Sequence, residues 1–450
     1  MVIDRTIINR DIDYAGVDYD SLCNLVDRWK TLLISKGCQK GQTLALAMLD
    51  VNPNHVACIF AAAELGLLLF LINKPITVET VSATKMGQLG PIDITVVDET
   101  LKYEAGHAEM FRLYSKQLVL ETDIDCINDI VYSSVTINPS DPFLLSSTSG
   151  TTGNAKPVVF THNDIYKISK QNIDVFMFEK NSTTLHDVSM HHASSLVTCI
   201  LPSLMAVDKH FYRSRLKPMN LDISRVIKEY VVPYGVCRMM SIFGESGLRR
   251  LVEGLEPYNS QIKKTILINT SGFSIPEYYY DVVKNLNIEI ISHYGSVDTG
   301  IPLLVNHVTK DSEYIPSSVG KPSGDLYEIE LIENALFVSS ELWEGKRKVP
   351  DLLSLVKENY IIHGREDNRP YNIRHVADQL LDHSFVKLAG GEMVIVLWRE
   401  EEQFLTAASA LCLFCDHVVS LNKERFTVET KVDMAQVRAY LENHYRSDKE

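Results

Sequence analysis

The segment Leu144–Lys156 joins an apolar run to a loop of hydroxyl and glycine residues that ends in a lysine. Glycine lets backbone N–H groups approach an anion, hydroxyls donate to phosphate oxygens, and lysine supplies a mobile positive charge. A polar surface loop is the alternative, but this density of such residues before a lysine favours a phosphate site. The candidate phosphate-binding residues are Thr148, Ser149, Gly150, Thr151, Thr152, Gly153 and Lys156.

The loop differs from the P-loop of nucleoside triphosphatases. The spacing from Gly150 to Lys156 fits that motif, but Ala155 stands where the motif has glycine. Pro157 follows the lysine, where the motif requires serine or threonine. A P-loop nucleoside triphosphatase is therefore the weaker nucleotide hypothesis.

Thr148-Ser-Gly-Thr-Thr-Gly153, Lys156 and Thr161-His162 together resemble the signature of the adenylate-forming superfamily. That superfamily contains acyl- and aryl-CoA synthetases, luciferases and the adenylation domains of peptide synthetases. Its pattern is Thr-Ser-Gly-Thr-Thr-Gly-x-Pro-Lys-Gly-Val, from which this chain departs at Ala155 and Pro157. The resemblance extends over nearly the whole chain and implies ATP as a substrate and Mg²⁺ as a cofactor.

A second matching segment is Tyr294-Gly295-Ser-Val-Asp298, which resembles the family's Tyr-Gly-x-Thr-Glu. The resemblance implies that Tyr294 stacks on adenine and that Asp298 helps to hold Mg²⁺. Val297 lacks the hydroxyl that the family's threonine offers to the α-phosphate. Gly272 lies in Thr270-Ser-Gly-Phe-Ser-Ile-Pro276, which resembles the small-residue segment beside the adenine and acyl pocket. Without the resemblance, Tyr294 and Asp298 would be a strand-end tyrosine and a turn acid.

Matches in the last hundred residues imply further nucleotide contacts. Asp351 resembles the ribose-binding aspartate, because a carboxylate can accept hydrogen bonds from both ribose hydroxyls. Gly364-Arg365-Glu-Asp367 matches Gly-Arg-x-Asp, which implies that Arg365 contacts ribose or phosphate and that Asp367 is the hinge. Glu429-Thr-Lys431-Val-Asp resembles Asn-Gly-Lys-Val-Asp, whose lysine reaches the α-phosphate and the carboxylate during adenylation. Lys431 is therefore the predicted catalytic lysine.

The pair His191-His192 matches the family segment in which an aromatic residue or histidine flanks the substrate carboxylate. The resemblance implies that His192 gates the acid pocket, and a structural histidine pair before an apolar helix is the alternative. Amino-acid-activating relatives usually place an aspartate here to pair with the substrate amine. Asp187 lies five residues upstream of His192, and the matching helix itself contains no aspartate. The segment therefore favours a fatty or aryl acid over an α-amino acid.

Hydrophobic spacing predicts the elements that position these residues. Leu22, Val26 and Trp29 recur at helical spacing, which predicts an amphipathic helix over residues 19–37. Helix and strand then alternate, which predicts βαβ units around a largely parallel sheet. The other predicted elements are strands at Thr43–Leu49, Phe70–Ile72, Ile94–Val97, Thr265–Asn269 and Glu289–Ser292, and helices at Asn54–Leu68 and Pro276–Asn285.

The predicted fold class is α/β, with a large N-terminal domain of mixed and parallel sheets covered by helices, and a small α+β C-terminal domain. The boundary is placed in the charged stretch Gly364-Arg-Glu-Asp-Asn-Arg-Pro370, which a proline closes. The predicted domains are residues 1–366, which bind ATP and the acid, and a mobile domain of residues 367–450.

Composition excludes several function classes. The 450 residues carry a formal net charge of −14, which argues against broad, sequence-independent nucleic-acid binding. The eight cysteines are scattered, and Cys412 and Cys415 lie in an apolar run, so buried thiols are favoured over a disulfide framework or zinc site. The first residues do not resemble a signal peptide and no apolar stretch is long enough to span a bilayer, which predicts the cytoplasm.

The leading hypothesis is an AMP-forming acid–thiol ligase that activates a fatty or aryl acid as acyl-AMP. The acyl group would pass to CoA or to the phosphopantetheine thiol of a carrier protein, as in secondary metabolism. His375, in Ile373-Arg-His375, stands where the family pattern Ile-Arg-Gly has glycine. This departure and those at Ala155, Pro157, Val297 and Thr430 keep open a degenerate relative that binds nucleotide or a partner without turnover. An amino-acid-activating adenylation enzyme is the third hypothesis.

Overall fold

The fold is described from a computed structural model. The residues described are 1–47, 52–71, 92–97, 115–131, 134–147, 157–186, 193–212, 227–234, 238–240, 245–365, 369–370, 383–387, 393–397, 417–420, 427–428, 431–432, 436–437 and 440.

Within these residues, the α-helices are α1 (Tyr19–Ser35), α2 (Pro53–Leu65), α3 (His162–Val175), α4 (Ala193–Ser195), α5 (Leu201–Ala206), α6 (Val232–Tyr234), α7 (Glu245–Leu255) and α8 (Glu277–Asn285). A π-helical segment, Leu196–Ile200, joins α4 to α5, and another, Ile227–Val231, precedes α6. Short 3-10 helices lie at Arg5–Ile7, Glu121–Cys126 and Glu256–Gln261.

The strands up to the middle of the chain are β1 (Asp13–Tyr14), β2 (Val17–Asp18), β3 (Thr43–Ala47), β4 (Leu68–Leu71), β5 (Ile92–Val97), β6 (Ser115–Leu120), β7 (Pro142–Ser147), β8 (Pro157–Thr161), β9 (Thr183–His186), β10 (Lys209–Tyr212), β11 (Arg238–Met240), β12 (Ile266–Ser271), β13 (Ile288–Ser296) and β14 (Gly300–Val308). The later strands are β15 (Ser318–Pro322), β16 (Tyr327–Ile332), β17 (Ala335–Ser340), β18 (Arg347–Val356), β19 (Asn359–Arg365), β20 (Arg369–Pro370), β21 (His383–Lys387), β22 (Met393–Leu397), β23 (His417–Ser420), β24 (Thr427–Val428) and β25 (Lys431–Val432).

Helix α1 forms where the hydrophobic spacing predicts it. The Asp18 side chain accepts a hydrogen bond from the Ser21 N–H and so caps the helix. Leu22, Val26 and Trp29 are buried along one face of the helix. The chain leaves the helix at Gly37, which has a positive φ of 81°.

Helix α2 is shorter than the predicted span Asn54–Leu68. Asn52 caps its start, and Pro53 occupies the first turn, where its missing N–H costs no hydrogen bond. Gly66 adopts the left-handed conformation and ends the helix, so Leu68 begins β4 instead. The predicted strand at Phe70–Ile72 is accordingly β4, and Ile72 lies outside the described residues.

The chain divides into two compact units. The first contains Met1–Glu330, Phe337–Lys348 and Val356–Tyr360, and the second contains Leu331–Leu336, Val349–Leu355 and Ile361–Glu450. The predicted boundary between residues 366 and 367 lies outside the described residues and stays a prediction.

In the first unit, a six-stranded sheet has the order β6-β5-β3-β4-β7-β8. Its pairs are parallel except β7 with β8. A larger sheet includes the order β15-β14-β13-β12-β11-β9-β10-β1-β2. The pairs along β13-β12-β11-β9-β10-β1 are parallel, with Asp13 of β1 opposite Lys209 of β10. The pairs β1 with β2, β13 with β14 and β14 with β15 are antiparallel.

Apolar clusters cover both faces of the larger sheet. One cluster contains Ile291 of β13 together with residues of α3, α4 and α5, such as Ile168. The other contains Ile268 and Ile290 with residues of α7 and α8, such as Tyr279. Helices on both faces of a mostly parallel sheet define the α/β class, so the predicted class is confirmed.

In the second unit, β21, β22 and β23 form a three-stranded sheet, and β24 pairs with β25. Strands β22 and β23 pair in parallel, with Val394 opposite His417. No helix among the described residues is long and apolar enough to cross a membrane.

Candidate active site

The small-residue segment follows the carboxyl end of β12. Gly272 has a φ of 90°, and a Cβ built on it would meet no atom within 4 Å. The glycine therefore allows a left-handed turn that other residues adopt only with strain. The Ser292 hydroxyl of β13 donates to the Phe273 carbonyl oxygen at 3.2 Å, which ties this turn to the next strand.

Tyr294 lies on β13, which is longer than the predicted strand Glu289–Ser292. Tyr294 is half-buried and pairs with Leu304 of β14. The register shifts between Tyr294 and Ser296, so Gly295 lies at a bulge. A Cβ on Gly295 would lie 2.3 Å from the carbonyl oxygen of Gly300, so the two strands approach too closely for any side chain there.

The turn between β13 and β14 carries the candidate metal ligand. The Ser296 hydroxyl donates to Asp298 Oδ1 at 2.6 Å and lies 2.6 Å from Thr299 Oγ1. The Thr299 N–H donates to the Ser296 carbonyl oxygen at 3.2 Å and closes the turn. Asp298 is half-buried, and its other oxygen, Oδ2, has no hydrogen-bond partner among the described residues.

Arg347 holds this turn from the start of β18. Its Nη1 donates to the Asp298 carbonyl oxygen at 2.7 Å, and its guanidinium carbon lies 4.3 Å from the centre of the Trp343 ring. Burial lowers the pKa of Arg347, and the negative charge of Asp298 opposes that shift. The Arg347 guanidinium therefore fixes the backbone of Asp298, while Oδ2 of the Asp298 carboxylate stays available to bind a metal ion.

Tyr327 supports the same turn from β16. Its ring stacks on Trp343 with centroids 6.0 Å apart, and its hydroxyl oxygen accepts a hydrogen bond from the Ile301 N–H at 3.3 Å. Burial raises the pKa of Tyr327 above its usual range, so the hydroxyl keeps its proton. Sequence analysis did not identify Arg347, Trp343 or Tyr327, and the only signal for them was the charged run Lys346–Lys348 beside a tryptophan.

The turn fits Mg²⁺ through its donor chemistry. Mg²⁺ is usually held by one or two protein carboxylates together with substrate phosphates and water. Asp298 offers one such carboxylate, and the described residues contain no group of three or more histidine, cysteine, aspartate or glutamate side chains that could hold a metal without a substrate.

The candidate phosphate loop itself lies outside the described residues, but the elements on both sides of it are described. Strands β7 and β8 pair antiparallel up to Ser147 and Pro157. Thr161 caps α3, and the Thr161 N–H in turn donates to Asp164 Oδ2 at 2.8 Å. The sequence therefore places the loop between two paired strands. The predicted residues concerned are Thr148, Ser149, Gly150, Thr151, Thr152, Gly153 and Lys156.

The remaining predicted site residues fall in different parts of the chain. Asp351 is half-buried on β18 and belongs to the second unit. Arg365 ends β19 opposite Arg369, and Lys431 begins β25 opposite Val428, both also in the second unit. His192 and Asp367 lie outside the described residues. Among the predicted residues, the structure thus brings together Tyr294, Gly295 and Asp298, with Gly272 beside the neighbouring strand.

Comparison with known protein sequences finds a matching family and a related protein. The sequence profile of the family described as AMP-binding enzyme matches residues 3–336. The Bacillus subtilis (strain 168) protein named "Putative acyl--CoA ligase YdaB" is 24% identical over 307 residues, which cover 66% of this chain and 58% of that protein. The match therefore spans less than two thirds of that relative.

Solved structures share the fold at low sequence identity. ATP-bound MatB from Rhodopseudomonas palustris has a TM-score of 0.72 and 15% identity, with 96% of each chain covered. MenE from Bacillus subtilis, an O-succinylbenzoate coenzyme A synthetase in complex with ATP and magnesium, has a TM-score of 0.72 and 15% identity over 91% of this chain and 92% of that one. McyG A-PCP complexed with phenylalanyl-adenylate has a TM-score of 0.76 and 16% identity, covering 100% of this chain and 97% of that one.

At these identities the structural likeness shows the fold, whereas the sequence profile covers more than half of the chain. The resemblance identified from Thr148–Lys156 and Tyr294–Asp298 is thereby confirmed, and this chain belongs to the AMP-binding enzyme family.

Proposed function

We propose that this chain is an AMP-forming acid–thiol ligase, which uses ATP to activate a carboxylic acid and then passes the acyl group to a thiol. The observation that carries the proposal is the turn after β13. There, Tyr294 and Asp298 lie within four residues of one another, and Arg347 fixes the backbone of Asp298. The family match supports ATP as the activating substrate.

In the first step, an oxygen of the acid's carboxylate attacks the α-phosphorus of ATP. The bond from the α-phosphorus to pyrophosphate breaks, which gives acyl-AMP and pyrophosphate. The carboxylate is already ionised at neutral pH, so this step requires no protein base. Because two anions must meet, the protein's task is to position them and to offset their charge.

The nucleotide-binding roles follow from the motif matches. Tyr294 stacks on adenine, Asp351 and Arg365 bind the ribose and phosphate, and Gly272 leaves room beside them. Asp298 would hold Mg²⁺, which would supply charge neutralisation at the phosphates. The hydroxyl and glycine residues of the segment Thr148–Gly153 cradle the β- and γ-phosphates.

Two lysines and one histidine complete the proposed site. Lys156 interacts with the leaving phosphates, and Lys431 reaches the transferring α-phosphate and the acid carboxylate. His192 flanks that carboxylate and gates the acid pocket. These assignments rest on the family motifs that the three residues match.

The departure at Val297 removes one phosphate-binding hydroxyl. The Val297 side chain packs against the apolar cluster of α3–α5 instead. Loss of such a hydrogen bond costs about 0.5–1.5 kcal/mol, which weakens binding without abolishing it. Ser296, one residue earlier, still presents an exposed hydroxyl beside Asp298.

In the second step, a thiol attacks the acyl carbon, the bond to AMP breaks, and a thioester forms. CoA and carrier-protein phosphopantetheine are the two candidate acceptors. The name of YdaB favours CoA, whereas the likeness to McyG A-PCP favours a carrier protein. A C-terminal domain of residues 367–450 that turns about Asp367 would let one site serve both steps.

ATP–pyrophosphate exchange tests the first step directly. Purified protein is assayed with fatty, aryl and α-amino acids, with and without Mg²⁺, and the acceptor is then identified by mass spectrometry of CoA and carrier proteins. Exchange that depends on one acid class is the expected result, with fatty or aryl acids favoured. ATP binding without exchange for any acid would contradict the proposal and favour a nucleotide-binding relative without turnover.

A further inference from the structure

The two faces of β12 carry different side chains. Alternation along the strand puts Leu267, Asn269 and Ser271 on one face and Ile268 and Thr270 on the other. We call the first the Asn269 face. In register, Asn269 lies beside Ile291 and Ser271 lies beside His293. Since Ile291 belongs to the apolar cluster of α3–α5, these helices cover the Asn269 face.

Asn269 is buried without satisfying its polar atoms. The residue is only 1% exposed, and neither Nδ2 nor Oδ1 has a hydrogen-bond partner among the described residues. A buried amide that makes no hydrogen bond costs free energy, and native structures rarely leave one in that state. Because both a donor and an acceptor are unpaired on a central strand, the side chain is suited to a ligand that offers one of each.

His293 adds a second unpaired polar atom on the same face. Its Nδ1 is buried and has no partner among the described residues. The ring meets Phe176 edge-on with centroids 5.4 Å apart, which fixes its orientation. Burial lowers the pKa of His293 to about 4, so the imidazole is neutral at pH 7. The Asn269 face therefore offers two neutral hydrogen-bonding groups near the carboxyl ends of parallel strands.

The nucleotide proposed above lies on the other face. Side chains alternate along β13, so Tyr294 lies on the same face as Ser292. Ser292 lies beside Thr270 of β12. A base stacked on Tyr294 is therefore separated by the sheet from Asn269. Ligands of parallel sheets bind beyond the carboxyl ends of the strands, where the two faces meet. The acid's carboxylate can meet the α-phosphate there while the rest of the acid extends over the Asn269 face.

We propose that Asn269, with His293 beside it, binds an uncharged hydrogen-bonding group, such as a hydroxyl, on the part of the acid remote from its reacting carboxylate. The preferred substrates are then hydroxyl-bearing acids rather than purely hydrocarbon ones. The proposal rests on the proposed function, since it names the substrate class of that site. A site with such unpaired groups rejects an analogue that lacks the matching hydroxyl, because the buried polar atoms stay unpaired.

Thr270 provides a matched control. It is the next residue on β12, it is also 1% exposed, and its Oγ1 also lacks a partner among the described residues. It faces away from Asn269, toward the cluster of α7 and α8. Asn269→Leu and Thr270→Val each replace an unpaired buried polar group by an apolar one of similar shape. Both are expected to raise the Tm of the ligand-free protein, whereas only Asn269→Leu is expected to change acid selectivity.

The experiment compares acids that differ by one hydroxyl. The pairs are hexanoate with 6-hydroxyhexanoate, benzoate with 4-hydroxybenzoate, and 3-phenylpropanoate with 3-(4-hydroxyphenyl)propanoate. Binding is measured by calorimetry beside a non-hydrolysable ATP analogue, and turnover is measured by pyrophosphate exchange. The wild-type chain is expected to prefer the hydroxyl member of at least one pair about 10- to 100-fold. Asn269→Leu is expected to abolish or invert that preference, and Thr270→Val to retain it.

Several outcomes would overturn the inference. The first is equal binding within every pair, and the second is no binding of any pair. The third is an unchanged preference in Asn269→Leu, which would show that Asn269 does not recognise the hydroxyl. If Asn269→Leu does not fold, Asn269→Ala removes the same atoms and gives the same readout. Exchange without hydroxyl preference would refute the inference alone, whereas hydroxyl-selective binding without exchange would refute the ligase proposal alone.

Discussion

The guanidinium of Arg347 donates a 2.7 Å hydrogen bond to the backbone carbonyl oxygen of Asp298, 49 residues earlier in the chain. Trp343 lies against the guanidinium, and Tyr327 lies against Trp343. These contacts join β16 and β18 to the turn that carries the candidate Mg²⁺ ligand. Arg347 is therefore assigned as a positioning residue, because its hydrogen bond is to the backbone of Asp298.

Replacing Arg347 tests this role. Arg347→Met removes the charge-assisted hydrogen bond, which is worth about 1.5–3 kcal/mol, and should lower exchange activity about 10-fold while raising the Mg²⁺ concentration required. Arg347→Lys keeps the charge and should restore part of the Mg²⁺ response. Lys357→Met, which removes an exposed lysine paired with Glu313, is the control and should behave as wild type. An unchanged Mg²⁺ requirement in Arg347→Met would show that Asp298 needs no such support.

The close approach at Gly295 predicts a large loss of stability on substitution. In Gly295→Ala, the new Cβ would lie 2.3 Å from the Gly300 carbonyl oxygen, so β13 and β14 must separate. We expect destabilisation of about 3 kcal/mol or more, measured as a fall in Tm. Gly272→Ala is the matched control, because its Cβ meets nothing and only its positive φ is strained, at about 1–2 kcal/mol. Equal Tm values for the two variants would contradict the geometry of the bulge.

Two buried histidines and one half-buried histidine predict acid sensitivity. Burial lowers the pKa of His162 and His293 to about 4 and that of His210 to about 3. The unfolded chain takes up these protons near pH 6.5, whereas the folded chain does so only near pH 3–4. Stability is therefore expected to fall as pH decreases from 6.5, by about 1.4 kcal/mol per histidine at pH 5.5.

His210→Asn tests the histidine contribution. Asparagine can keep a hydrogen bond to Thr184 Oγ1, which lies 2.7 Å from His210 Nδ1, and it does not titrate. Denaturant unfolding between pH 6.5 and 4.5 should show a shallower loss of stability in this variant. His363→Asn, which replaces an exposed histidine, should keep the wild-type slope. Parallel curves for all three proteins would show that His210 does not cause the pH dependence.

Lys431 is expected to act in adenylation rather than in nucleotide binding. Lys431→Ala should slow acyl-AMP formation at least 100-fold, as expected when a group that stabilises transition-state charge is removed, while ATP affinity changes little. ATP binding by calorimetry and pyrophosphate release separate the two effects. Lys357→Ala again serves as the surface control. Normal pyrophosphate release in Lys431→Ala would remove this residue from the mechanism.

Local sequence signals predicted the elements near the site well. Helical spacing predicted α1, and the strand–helix alternation predicted β12 and α8 to within a few residues. The length of β13 was underestimated because Gly295 is a poor strand former on its own. Pairing with β14 extends the strand through that glycine, which is a tertiary effect that no local pattern contains.

The candidate site was predictable only where a contiguous motif carries it. Tyr294 and Asp298 lie within five residues of sequence and were identified from their motif. Arg347 was missed because its contact with Asp298 joins positions 49 residues apart. Asn269 was missed for another reason. A polar residue inside an apolar strand becomes a candidate binding residue only when the structure shows that it lacks hydrogen-bond partners.

The parallel pairing of β1 with β10 has a consequence for synthesis of the chain. Asp13 leaves the ribosome long before Lys209, its partner in the sheet. At about 5–20 residues per second, the interval is roughly 10–40 s. During that time β1 and β2 have no parallel neighbour, so the early chain exposes a strand edge that chaperones or other nascent chains can bind. The larger sheet can therefore close on its first strand only after about half of the 450 residues have been synthesised.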